Sequence, residues 1–125
     1  MKRSEINGAI RRMEALIATY RFALPPFLSW TPADWARAGT DCDEIRDNML
    51  GWDVTDFGRG NFPACGLSLI TLRNGSLHDS RYPKPYAEKL LMLDPGQTCP
   101  MHFHWYKMED IINRGGGTVV FRFCN

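Results

Sequence analysis

The polar and apolar positions divide the chain into a helical start and a β-rich remainder. Ile6, Ile10, Met13, Leu16, Ile17 and Tyr20 recur at three- and four-residue steps, which draws one apolar stripe along a helix. That spacing predicts a helix from a Ser4 cap to about Tyr20. Pro25-Pro26 forbids its continuation, because proline lacks the amide donor and clashes with the preceding turn. Thr31-Pro32-Ala33-Asp34 begins a second, short helix, with Thr31 as the cap, Pro32 in the first turn and Asp34 at the positive dipole end. Gly39 closes it.

After that the period shortens and turn residues recur every few positions. Gly66 to Leu72 reads as a strand followed by an Asn74-Gly75 turn. Tyr82-Pro83-Lys84-Pro85 is an extended connection. Glu88 to Leu93 is a strand, Asp94-Pro95-Gly96 a turn, and Thr98 to His104 a further strand. Arg114 to Gly117 is a glycine turn, and Thr118 to Phe123 is a last strand with alternating faces. Helices first and an antiparallel β region afterwards predict an α+β fold, mainly β, with a sandwich or barrel body. We divide it into a helical segment over residues 1–40, packing on a β body over residues 41–125. The last strand ends at Asn125 with no hairpin partner after it. Open edges invite pairing, so we expect the first part of a longer β architecture, or pairing with another copy as a homodimer.

Composition narrows the function classes. The 125 residues fit one domain, and 44% hydrophobic with 23% charged residues is ordinary for a globular chain. A net charge of +1 without a basic cluster gives no electrostatic case for nucleic acid. No apolar run reaches the roughly 18 residues that span a membrane, and the start carries no signal-peptide core. Cys42, Cys65, Cys99 and Cys124 have no C-x-x-C spacing, so we expect reduced thiols in the cytoplasm and no zinc site built from them.

The candidate chemistry sits near the end, in His102-Phe103-His104 with Glu109 five residues on. Alternate residues of a strand share a face, so a strand would point both imidazoles to one side. Two imidazoles and a carboxylate suit a divalent transition metal. The bland reading is a half-exposed strand whose histidines merely alternate with Phe103 and Trp105. Against it, imidazoles buried among Met101, Phe103 and Trp105 would need partners. Glu109 has the wrong parity for the histidine face, so Trp105 to Lys107 must hold a bulge or turn. Lys107 would then share the face of Glu109, where it could hold a substrate oxygen or relay a proton, or stand solvated. His78, in a polar stretch, reads as solvated. Trp30, Trp35, Trp52 and Trp105 read as packing residues, and Glu14, Glu44, Asp47, Asp53 and Asp56 carry no derivable role.

The spacing Gly96, His102-x-His104, Glu109, Gly116 resembles the first signature of the cupin barrels, which implies a jelly-roll β-barrel preceded here by helices. Longer stretches resemble one cupin family, the D-lyxose isomerases. They include Leu24-Pro25-Pro26-Phe27, Trp30-Thr31-Pro32, Glu44 to Asp53, Thr71 to Gly75, Pro100 to Trp105 and Lys107 to Gly117. The resemblance implies a metal-dependent aldose–ketose isomerase that interconverts D-lyxose and D-xylulose, and often D-mannose and D-fructose, through a cis-enediol. It implies His102, His104 and Glu109 as ligands of a divalent metal, commonly manganese, with zinc, iron, cobalt or nickel as alternatives. It implies Lys107 as a catalytic or sugar-binding residue. Family members are about twice as long, and the part without a counterpart here carries a fourth ligand histidine and a carboxylate for proton transfer. We therefore expect little isomerisation by residues 1–125 alone. Two other readings stand beside it: a non-catalytic metal-binding cupin fragment dimerising through open strand edges, and a non-haem iron oxygenase using the two-histidine, one-carboxylate triad.

Overall fold

Met13, Ile17, Ile70 and Met92 form the centre of the core, and they show how the two ends of the chain's regular structure meet. In the computed structural model, which describes residues 1–124, Ala9, Met13 and Ile17 are the buried line of helix α1, Arg3–Thr19. Their four-residue spacing is the apolar stripe of the sequence. The cap lies two residues before Ser4. Lys2 is the N-cap and has no side chain able to accept, so Glu5 reaches back and accepts from the Lys2 amide at 2.5 Å.

The stripe packs on a three-stranded antiparallel sheet of order β1-β2-β3, with β1 Gly51–Thr55, β2 Leu67–Arg73 and β3 Glu88–Met92. Trp52 and Leu90 pair with Ile70 from either side, and Met92 pairs with Ser68. Pleating sends these residues to the face that meets α1. Leu16, Phe22, Leu24, Leu28 and Leu72 close around the same core. β2 is the middle strand, and Leu67 to Thr71 are buried without alternation, as a strand covered on both faces requires. The Ser68 hydroxyl is buried there with no hydrogen-bond partner. A bulge between Thr71 and Arg73 shifts the register, and Arg73 pairs with Glu88 across it.

Short helices connect α1 to the sheet. The 3-10 turn Pro26–Ser29 offers the Leu28 carbonyl to the Trp52 indole at 3.1 Å. Helix α2, Pro32–Arg37, begins as the sequence predicts: the Thr31 hydroxyl accepts from the Asp34 amide, and the Asp34 carboxylate accepts from the Thr31 amide. The Thr31 hydroxyl also donates to the Asp34 carboxylate at 2.6 Å, and that bond, then the one from the Thr31 amide and the one from Arg37, hold the Asp34 carboxyl below the usual carboxylate range. A 3-10 turn, Thr40–Cys42, leads into helix α3, Asp43–Asp47.

The connection from β2 to β3 is pinned by the acidic residues of α3, which sequence patterning left without a role. Tyr82 donates to Asp47 at 2.7 Å, Arg81 pairs with both Asp47 and Asp79, and Lys84 pairs with Glu44. Gly75 lets the two limbs of this connection touch, since a Cβ there would collide with the Lys84 carbonyl. Arg12 and Asp94, 2.8 Å apart, join α1 to the turn after β3.

Three expectations change. Thr98 to His104 forms no strand: Thr98 makes one isolated parallel bridge to Cys65, and residues 99–104 have no strand partner. Thr118 to Phe123 is likewise without regular structure. A strand exists only through its ladder, and no neighbour supplies one among the described residues. For the same reason the body is an open sheet and not a closed barrel, and α1 alone is as long as the three strands together. The observed class is α+β without the predicted β excess. Asn125, where the last strand was to end, lies outside the described residues. No helix is long and apolar enough to cross a membrane among the described residues.

Candidate metal centre

The turn Asp94-Pro95-Gly96 starts the approach to the histidines. Gln97, buried, accepts from the Asp94 amide at 2.9 Å and donates to the Phe62 carbonyl. Thr98 and the 64–66 segment exchange backbone bonds of 2.9 and 3.1 Å. This clip is the last backbone pairing before residues 99–124, which then run exposed and without regular structure. Their second attachment is Gly115 (φ +132°), where an added Cβ would come within 2.7 Å of the Tyr20 hydroxyl at the end of α1.

Between these two attachments the chain brings three of the four expected residues together without a strand. His102 and His104 rings meet edge to face with centroids 4.9 Å apart. Phe103 and Trp105 meet in the same manner on the other side, 4.8 Å apart. The pairing of residues two apart needs no ladder. The chain then bends at Trp105–Tyr106, inside the interval where parity demanded a turn. The bend returns Glu109 to the histidine side, and its Oε1 lies 3.2 Å from His104 Nε2. Lys107 joins as the fourth, with Nζ 2.7 Å from the same oxygen. The hydrogen bond from that ammonium holds the Glu109 carboxyl below its ordinary value against the upward push of burial, with a weaker contribution from the two imidazoles.

The donors can be tested against a metal. One ligand atom from each of His102, His104 and Glu109 lies within 4.8 Å of the others. Ligand atoms at about 2.0–2.2 Å from a shared ion sit at most about 4 Å apart. A side-chain movement of about 1 Å closes that difference, so the set fits a divalent cation. His102 Nδ1 lies 2.8 Å from the Pro100 carbonyl. A carbonyl only accepts, so Nδ1 carries the proton and Nε2 keeps its lone pair for a ligand. Soft thiolates are absent from the cluster, and imidazole with carboxylate suits manganese, iron, cobalt, nickel or zinc.

Other sequence expectations fall out differently. The three donors are exposed, as are Met101, Phe103 and Trp105. The case for partners based on burial therefore does not apply, and proximity carries the site instead. Trp105 is 80% exposed and does no packing in the core. Trp30 and Trp35 do pack on each other, with Arg46 above Trp35. His78 is exposed, as expected. All four cysteines are free thiols. A hollow of about 390 Å³ lies between the N-terminus and residues 56–63, lined by Glu5, Asp56 and Phe62 among others. It contains none of the donors, and its volume alone assigns it no chemistry.

Comparison with known proteins places the whole chain in one context. A family model described as D-lyxose isomerase matches residues 1–125. A D-lyxose/D-mannose isomerase of Escherichia coli O157:H7 is 49% identical over 126 aligned residues, covering 100% of this chain and 56% of that protein. One from Serratia proteamaculans is 44% identical over 126 aligned residues, with 55% of its own length covered. An auxin-binding protein 5 of Zea mays is 24% identical over 120 residues. The chain thus spans a little over half the length of the two isomerase relatives.

Proposed function

The chain belongs to the D-lyxose isomerase family, and from that premise we propose that it carries the metal-binding part of an aldose–ketose isomerase acting on D-lyxose and D-xylulose. D-Mannose and D-fructose form a second substrate pair. The observation that carries the reading is the convergence of His102, His104 and Glu109 on one point, in a chain of this family.

In this reading His102 Nε2, His104 and Glu109 hold a divalent cation, with manganese as the first choice. When bound, the cation supplies polarisation of the sugar carbonyl and stabilisation of enediolate charge. The residues of this chain do the rest of what can be assigned to it. His102 is oriented by the Pro100 carbonyl, which keeps its donor nitrogen fixed. Glu109 is kept ionised by Lys107, so it is ready as a ligand at any ordinary pH. Lys107 sits next to the donors, where its ammonium binds a sugar oxygen or passes a proton to it. Glu109 is a poor general base, because its lone pairs face Lys107, His104 and the metal position.

The expected completion of the fold is a cupin jelly roll, with residues 1–40 as its helical preface and residues 41–125 as its first part. A homodimer is a secondary proposal, supported by β1 and β3 each presenting an open sheet edge.

A chimera tests the function directly. Residues 1–125 are joined to the part of the E. coli relative that they do not cover, and conversion of D-lyxose to D-xylulose is followed by NMR with added manganese. The expected result is metal-dependent conversion with deuterium from D2O appearing at C1 of the D-xylulose formed. His104→Ala should lower kcat/KM by at least about 100-fold, since even outer partners of metal ligands are worth 10–100-fold. A folded chimera that binds manganese and leaves D-lyxose unchanged would refute the reading.

A further inference from the structure

Residues 99–124 have a surface that a monomeric domain rarely leaves open. Tyr106, Met108 and Phe123 are 97%, 99% and 87% exposed, and Met101, Phe103, Ile111, Ile112, Val120 and Phe121 are exposed with them. These nine large apolar side chains, exposed within 26 residues, mark a candidate interaction surface. The backbone agrees with the side chains. Among the described residues, no backbone–backbone hydrogen bond reaches this stretch beyond the Thr98 clip. Side chains occupy the Pro100 and Gly117 carbonyls and the Gly115 amide, and the backbone groups of 101–105 and 119–123 are available for a ladder.

The side chains also have strand periodicity in two places. Phe103 pairs with Trp105 at 4.8 Å, and Phe121 stacks with Phe123 at 6.5 Å, each across one intervening residue. A stretch with alternating apolar residues, free backbone groups and attachments at Thr98 and Gly115 is the receiving half of a β-augmentation. Among the described residues it has no partner strands, and the isomerase relatives contain nearly as much polypeptide again outside the region they share with this chain.

We propose that residues 101–105 and 119–123 are docking strands, and that their occupant is a polypeptide equivalent to the unshared part of those relatives, able to bind as a separate chain. Binding adds strands along both segments and covers Phe103, Trp105, Phe121 and Phe123. The proposal rests on the family match and on backbone pairing, and not on the metal reading, so a failure of either is visible without the other.

Co-expression tests it. Tagged residues 1–125 are produced together with the unshared part of the E. coli relative, and the purified material is examined by native mass spectrometry and amide hydrogen exchange, without metal. The expected result is a one-to-one complex in which exchange at 101–105 and 119–123 slows at least about 10-fold relative to the chain alone. Phe121→Asp with Phe123→Asp should abolish the complex while leaving the helical circular dichroism and melting of residues 1–125 unchanged, because both side chains are exposed. Failure to co-purify when both chains are soluble would overturn the proposal. A complex untouched by the double aspartate variant, or a homodimer of residues 1–125 that protects the same amides, would overturn it equally.

Discussion

Ile70→Ala is expected to cost about 2–5 kcal/mol of unfolding free energy, the usual range for removing a large aliphatic side chain from a packed core. Ile70 is fully buried at the middle of the central strand, between Trp52 on β1 and Leu90 on β3 and beneath Met13 and Ile17 of α1. α1 and all three strands meet around it. Neighbours held by a ladder on both sides cannot collapse into the space, so the cavity persists and the cost falls in the upper part of the range. Domains of this size are stable by only about 5–15 kcal/mol, so the substitution removes a large share. Urea unfolding followed by tryptophan fluorescence should show a lower midpoint at an unchanged slope. Val120→Ala, in the exposed stretch, should leave the midpoint where it is. Equal effects of the two would mean that the helix-on-sheet core is not where the stability resides.

Glu109→Gln is expected to weaken divalent-metal binding by at least about 100-fold, more than an outer partner of a metal site is worth. Two effects add. The amide removes the one anionic donor of the set, leaving two neutral imidazoles. It also removes the charge that pairs with Lys107, so an uncompensated ammonium then stands beside the cation position. Lys107→Met separates these effects. With the ammonium gone and the carboxylate free of its hydrogen bond, binding should be as tight as in the parent chain or tighter. Manganese titration by electron paramagnetic resonance checks both. Loss of binding in Lys107→Met, or retention in Glu109→Gln, would mean that the cluster is an ion pair near two histidines and nothing more.

The parts of the fold legible from sequence are those whose patterns are local. The α1 stripe, the Thr31–Asp34 cap, β2 and β3 all follow from spacing within one element. β1 escaped notice although its signal was present: Trp52 and Val54 alternate with the exposed Asp53 between Gly51 and Gly58. The roles of Glu44 and Asp47 were not legible, because their partners Lys84, Arg81 and Tyr82 lie 34–40 positions away and only the fold brings them close. Thr98 to His104 and Thr118 to Phe123 were misread for the opposite reason. Their alternation is genuine, as the Phe103–Trp105 and Phe121–Phe123 pairs show, but a strand also needs a neighbour. The proximity of His102, His104 and Glu109 was legible even so, because H-x-H keeps its parity with or without a ladder, and the bend at Trp105–Tyr106 supplied the correction that parity demanded.

The central claim is that His102, His104 and Glu109 act as ligands of one ion. Electron spin-echo envelope modulation of manganese added to residues 1–125 tests it most directly, because it detects directly coordinated imidazole nitrogen. The expected spectrum contains modulation from two imidazoles, falling to one in His102→Ala and to none when His104 is also replaced. Manganese that binds without nitrogen modulation, or with modulation unchanged in the double variant, would contradict the claim.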